Sequence, residues 1–138
     1  MGSFLHGNRW NSRGKRVIYT AETYAGALLE VLVHCNLGYV PRTHAWIEIS
    51  LPSQLGIEEV TAEAVPDWDG PSSASTRAFG DRWHDERRTP LLLVPSVVTK
   101  GVERNVLLNQ DHPEFSAFEA SELREVAWDQ RLFKYGVR

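Results

Sequence analysis

Residues 16–36 read RVIYTAETYAGALLEVLVHCN, and the change of period inside this stretch decides the fold class. Residues 16–20, RVIYT, combine β-branched and aromatic types, which suit the pleated, half-buried surface of a strand. Beyond them the spacing changes. In residues 22–36, Tyr24, Ala27, Leu28, Val31, Leu32 and Cys35 fall at i, i+3, i+4, i+7, i+8 and i+11, the apolar stripe of a helix lying on a core. A strand thus runs directly into a helix, with Thr20 placed to cap it and Asn36 and Gly38 to end it.

Toward the C-terminus, residues 44–51 alternate, with Ala45, Ile47, Ile49 and Leu51 on one face and His44, Trp46, Glu48 and Ser50 on the other, predicting a half-buried strand. Pro, Asp, Gly and Ser cluster as turn formers in residues 66–75, and residues 74–87 predict a short helix with Phe79 and Trp83 four apart and Gly80 between them. Leu91–Val94 and Val97–Val98, split by Pro95 and Ser96, form a strand too apolar to face water, the proline marking an edge, bulge or strand end. Residues 104–109 and 123–128 carry weaker strand patterns. Toward the N-terminus, residues 1–14 hold three glycines, two asparagines and two serines and predict an opening loop, near which Arg9, Arg13, Lys15 and Arg16 concentrate. One early helix, later strands, many loops and no repeat or linker favour a single mixed α+β domain over residues 1–138 rather than a doubly wound sheet.

Composition narrows the function classes. With 42 % hydrophobic and 24 % charged residues in 138, the chain has the balance of a folded globular domain. Its formal net charge of −3 supplies no general attraction for nucleic acid or an anionic membrane. The lone Cys35 excludes an internal disulfide, and without a signal peptide or long apolar run the expected location is the cytoplasm.

Walker A, GxGxxG, GxSxG, HExxH and CxxC motifs are absent, and the histidines at 6, 34, 44, 84 and 112 are scattered. His84-Asp85-Glu86 places its side chains in different directions on a helix, so no metal site is expected there. Three features remain. In Asn8-Arg9-Trp10-Asn11-Ser12 a guanidinium beside an indole is suited to clamp a phosphate while the ring covers something flat; an Arg stacked on Trp at a loop surface is the alternative. On the predicted helix, at 100° per residue from Tyr24, the apolar stripe centres at about 15°, with Glu30 at about −120° and His34 at about −80°. These two residues border the buried face, where a carboxylate faces either a cleft or solvent. Ser96 is a hydroxyl in an otherwise apolar strand directly after a proline, a position where such a residue usually ends a strand and bonds to backbone.

Together these pieces resemble the RES domain, the toxin half of RES-Xre toxin-antitoxin modules. GNRWNSRG at 7–14 is similar to that family's opening motif, VIYTAET at 17–23 to its strand into helix, and ALLEVLVH at 27–34 to the helix bearing its glutamate. RAFGDRW, LLVPSVV, ERNVLLNQDHPEF and DQRLF follow in the family's order, so the resemblance runs from Gly7 to Phe133. The closing block departs from the family's FDPRL: here Trp128-Asp129-Gln130-Arg131-Leu132 replaces the aromatic and the proline.

The resemblance implies an ADP-ribosyltransferase-like fold with antiparallel-rich sheets and few helices, and a cleft that binds NAD+ and breaks its nicotinamide–ribose bond. Arg9, Glu30 and Ser96 map onto the three residues that name the family, and Tyr19 onto its strand tyrosine. On this reading Arg9, Glu30 and Tyr19 are catalytic, and Trp10, Ser96 and Asn105 join Arg9 and Tyr19 in binding NAD+. NAD+ is a consumed substrate, so no resident cofactor or metal is implied. The ADP-ribose goes to phosphate or water, or alternatively to a specific cellular protein. The implied partner is an Xre-type helix-turn-helix antitoxin that blocks the cleft at a mouth around Arg9 and Arg13, with the chain assembling with itself or with that antitoxin; DNA binding belongs to the partner.

Overall fold

The computed structural model describes residues 5–35 and 38–135. In chain order its elements are β1 (Val17–Ala21), α1 (Tyr24–His34), β2 (Ala45–Trp46), β3 (Ile49–Ser50), β4 (Ile57–Glu59), α2 (Ala74–Glu86), β5 (Leu91–Pro95) and β6 (Arg104–Asn109). A 3-10 helix (Pro113–Ala117), β7 (Glu119–Ala120), β8 (Arg124–Glu125) and a second 3-10 helix (Gln130–Leu132) follow. The principal sheet has the order β1-β6-β5-β4; β2 pairs β8 and β3 pairs β7 in separate two-stranded ladders. All the pairings are antiparallel except β4 with β5. The α+β architecture with antiparallel-rich sheets and few helices is as the resemblance implied, although Leu5 and His6, expected in a loop, are helical. Among the described residues, no helix is long and apolar enough to cross a membrane.

Register explains how the sheet serves the site. Tyr19 lies opposite Leu107 and Leu107 opposite Leu92, while Ala21 lies opposite Asn105 and Asn105 opposite Val94. Because side chains alternate with period two, these rows share one face. Leu92, Val94 and Leu107 build the core there with Trp10, Val17, Trp68 and Trp83. Asn105 is therefore a polar member of an apolar face, at the end where α1 crosses.

Several expectations are revised. The cap of α1 is Thr23, whose Oγ1 accepts from the Gly26 N–H at 2.9 Å; Thr20 stays in β1 and donates to the Val106 carbonyl at 2.8 Å. Helix α1 ends at His34, and the expected terminator Asn36 lies outside the described residues. No residue of α1 is buried. Of its stripe, Tyr24 is exposed and Ala27, Leu28, Val31, Leu32 and Cys35 are half-buried, because the helix rests along the sheet edge beside an open cleft; Leu29 and Val33, off the stripe, are exposed. The strand expected over 44–51 splits into β2 and β3, which pair different partners. In β2 it is Trp46, expected on the polar face, that packs, against Tyr24 of α1 at 4.8 Å, while Ile47 and Leu51 stay exposed despite their alternation. Pro95 ends β5, and Val97 and Val98 turn into a loop closed by Ser96 N–H to Glu103 carbonyl (3.0 Å) and Gly101 N–H to Ser96 carbonyl (2.8 Å).

Candidate active site

The Arg9 loop is built by three neighbours. Asn8 and Asn11 exchange backbone hydrogen bonds (2.9 and 3.3 Å), pinching Arg9 and Trp10 into a tight tip. One face of α2 grips that tip: Thr76 Oγ1 donates to the Arg9 carbonyl, Arg77 Nε to the Asn8 carbonyl at 3.0 Å, and Asp81 accepts from the Ser12 backbone N–H at 2.8 Å and from its hydroxyl. Gly80 faces the same contact. A Cβ there would overlap the Trp10 carbonyl oxygen, so only glycine allows this approach of helix and loop. From β1, the Tyr19 hydroxyl accepts from the Trp10 N–H at 3.0 Å and donates to Asn11 Oδ1 at 2.6 Å.

The tip divides two side chains. The Trp10 indole is 2 % exposed and meets Phe79 edge-on at 6.3 Å, so it belongs chiefly to the core, although Trp10 contributes to the cleft wall. The Arg9 guanidinium donates through Nη1 to the carbonyls of Trp68 and Gly70, both at 3.0 Å. Among the described residues its Nε and Nη2 edge makes no bond, leaving a planar fork of the kind that binds carboxylate or phosphate. Tyr19 is raised above its ordinary phenol range by burial, against the opposing pull of the Trp10 N–H and the Arg77 and Arg9 charges. Its hydroxyl stays neutral and braces the loop.

Glu30 comes from the flank of α1. Its Oε1 accepts from Asn105 Nδ2 at 3.1 Å and from Ser96 Oγ at 3.4 Å, whereas Oε2 has no protein partner among the described residues. Ser96 is 3 % exposed, and its Oγ also accepts from the Thr99 N–H at 3.3 Å. Two strand ends thus orient a carboxylate that rides on a helix with no buried residue of its own.

Arg9, Trp10, Tyr19, Glu30 and Asn105 line one cleft of about 720 Å³. Ser96 stands behind it and reaches it through Glu30. His34 also lines the cleft, one turn beyond Glu30, while Arg13 is exposed and is not part of the wall. The sequence reading missed Arg77, which lines the cleft beside Arg9; on the polar side of a predicted helix it carries no signal that separates it from a solvated cation. A second hollow of about 570 Å³ holds Glu22, Glu59 and Arg104, whose charges already pair with one another.

Comparisons with known proteins converge. The RES domain family model matches residues 1–129. The Prs ADP-ribosylating toxin of a Sphingobium species is 35 % identical over 137 residues, covering 96 % of this chain and 84 % of that protein. Toxin Res of Photorhabdus laumondii is 31 % identical, covering 96 % and 86 %, and Toxin Res of Pseudomonas putida is 31 % identical, covering 96 % and 90 %.

Proposed function

The chain belongs to the RES domain family, and on that premise we propose that it is a toxin whose cleft binds NAD+ and breaks the nicotinamide–ribose bond, passing ADP-ribose to phosphate or water. The observation that carries this reading is a carboxylate, Glu30, fixed by Ser96 and Asn105 in the same cleft as the open fork of Arg9.

The chemistry follows from charge. As the ribose C–N bond breaks, its electron pair leaves with nicotinamide, already a cationic leaving group, and positive charge grows on the ribose ring as in glycoside cleavage. Glu30 stabilises that charge and holds the ribose 2′-hydroxyl, an interaction that strengthens toward the transition state. Arg9 pairs with the diphosphate and so fixes the dinucleotide while the bond breaks. The Tyr19 ring, held by its hydroxyl, supports the nicotinamide, and Asn105 orients Glu30. An oxygen of phosphate or water then bonds to the ribose carbon; with water a proton is released. An Xre-type helix-turn-helix antitoxin restrains the toxin by covering the cleft at Arg9 and Arg77; Arg13 does not line it.

A second reading, transfer of ADP-ribose to a specific cellular protein, is favoured by the name of the Sphingobium relative. Incubating the purified chain with NAD+, with and without phosphate, separates the two. Release of nicotinamide with ADP-ribose or its phosphate supports the first; release only on adding a cell extract, with label on one protein, supports the second. Glu30→Gln should lower either activity on the order of 100-fold or more. Unchanged turnover in that variant removes Glu30 from the mechanism.

A further inference from the structure

Arg77 stands at the Arg9 end of the cleft, and the loop tether uses only its Nε. We infer that Arg77 is a second phosphate-binding residue of the cleft, taking one phosphate of a dinucleotide diphosphate while Arg9 takes the other; this rests on the reading of the cleft as an NAD+ site.

Charge pairing and position together point to it: Arg9 and Arg77 are the arginines that line the cleft. Lys15, Arg88 and Arg104 are each neutralised by at least one carboxylate, at 2.5–3.0 Å. Neither Arg9, which is half-buried, nor Arg77, which is exposed at the rim, has a carboxylate partner among the described residues. Asp81, one turn beyond Arg77 on α2, is instead occupied by Ser12. Arg77 bonds the carbonyl of Asn8, the residue next to Arg9, which brings the two side chains to one end of the hollow that both line.

Geometry then divides the work. Arg9 has given Nη1 to two backbone carbonyls, so a single edge remains, enough for one phosphate. A diphosphate carries a second charge that this edge cannot also satisfy. The bond from Arg77 Nε to the Asn8 carbonyl fixes the second side chain at its stem and leaves the Nη groups as donors, a preorganised arrangement that loses little side-chain entropy on binding.

The test is steady-state kinetics of NAD+ cleavage by the full chain and by Arg77→Gln and Arg77→Lys, with ADP-ribose and nicotinamide as inhibitors that do and do not carry phosphate. Arg77→Gln should raise KM for NAD+ and weaken ADP-ribose inhibition about tenfold or more, the loss expected for a charged hydrogen bond. Its kcat and its inhibition by nicotinamide should stay within about twofold, and Arg77→Lys should recover part of the loss because it restores the charge without the fork. An equal weakening of both inhibitors, or a fall in kcat alone, would show that Arg77 only tethers the loop and overturn the inference, as would an unchanged KM. Failure of the NAD+ reading is distinguishable: the unmodified chain itself would neither cleave NAD+ nor bind ADP-ribose, and the inference would fall with it.

Discussion

The Asn105 side-chain amide donates to Glu30 Oε1 at 3.1 Å, joining positions 75 residues apart. Ser96 donates to the same oxygen from the turn that ends β5, so two elements of the sheet converge on one atom of α1. Helix α1 has no buried residue, which means that hydrophobic burial does little to fix the direction of Glu30. Polar contacts to the sheet do that work. The consequence is an acceptor whose second oxygen, Oε2, keeps one orientation toward the cleft while remaining available to a ligand.

That arrangement makes the two donors partly redundant. A neutral hydrogen bond contributes about 0.5–1.5 kcal/mol net, and one to a charged group somewhat more. Asn105→Ala and Ser96→Ala should each lower kcat for NAD+ cleavage about three- to tenfold. The double variant should lose more than the product of the two, because the carboxylate is then free to rotate. Kinetics on the four proteins measures the coupling; strictly multiplicative losses would show that the two residues act separately.

Thr23 controls the same helix from its other end. Its Oγ1 accepts from the Gly26 N–H and donates to Glu103 Oε1, each at 2.9 Å, tying the first turn of α1 to the start of β6. Thr23→Ala removes a cap worth about 1 kcal/mol. Where burial contributes so little, the loss should appear as local fraying. Amide hydrogen exchange over residues 24–30 should quicken several-fold while the core strand β6 keeps its protection. Equal acceleration in both would mean that α1 unfolds only with the whole domain.

Gly80 gives the sharpest steric prediction. An added Cβ would overlap the Trp10 carbonyl oxygen, a backbone atom with no rotamer to escape into. Gly80→Ala would improve intrinsic helix propensity by about 1 kcal/mol in an exposed helix, so the sign of the measured change decides which effect wins. The expected outcome is a net destabilisation of about 1–3 kcal/mol in denaturant unfolding, with the loop carrying Arg9 displaced. A stabilised variant would show that α2 and the loop are not in contact in solution.

Legibility in the sequence followed burial. The stretch over 91–94, apolar at every position, announced β5, and the strand-to-helix change at 17–34 announced β1 and α1. Strand β6 was faint because Asn105 and Asn109 put polar groups on its inner face, where one orients Glu30 and the other donates to the His84 carbonyl at 3.0 Å. The alternation over 44–51 promised that the face of Ala45 and Ile47 would be covered, whereas Trp46 on the other face packs on Tyr24. Within the site, Arg9 and Glu30 were marked by resemblance and helical angle, whereas Arg77 reaches the cleft only because Gly80 lets α2 press against the loop. That contact is tertiary, and no local spacing encodes it.

Tyr19 connects the loop to pH. Burial, the dominant cause, raises its phenol above the ordinary value near 10. A group whose folded value is raised contributes stability that is fully present below the unfolded value and is lost as pH climbs from there toward the folded one. Tyr19→Phe removes that titration and also strands the Trp10 N–H and Asn11 Oδ1, at a cost of about 1–3 kcal/mol near neutral pH. Unfolding free energies of the two proteins measured from pH 8 to about 11 should therefore converge as pH rises past about 10, since only the unmodified chain loses stability through this group. A gap that stays constant or widens over that range would mean that the hydroxyl ionises as readily in the folded protein as in the unfolded chain, and that it does not sit in the closed contact with Trp10 and Asn11.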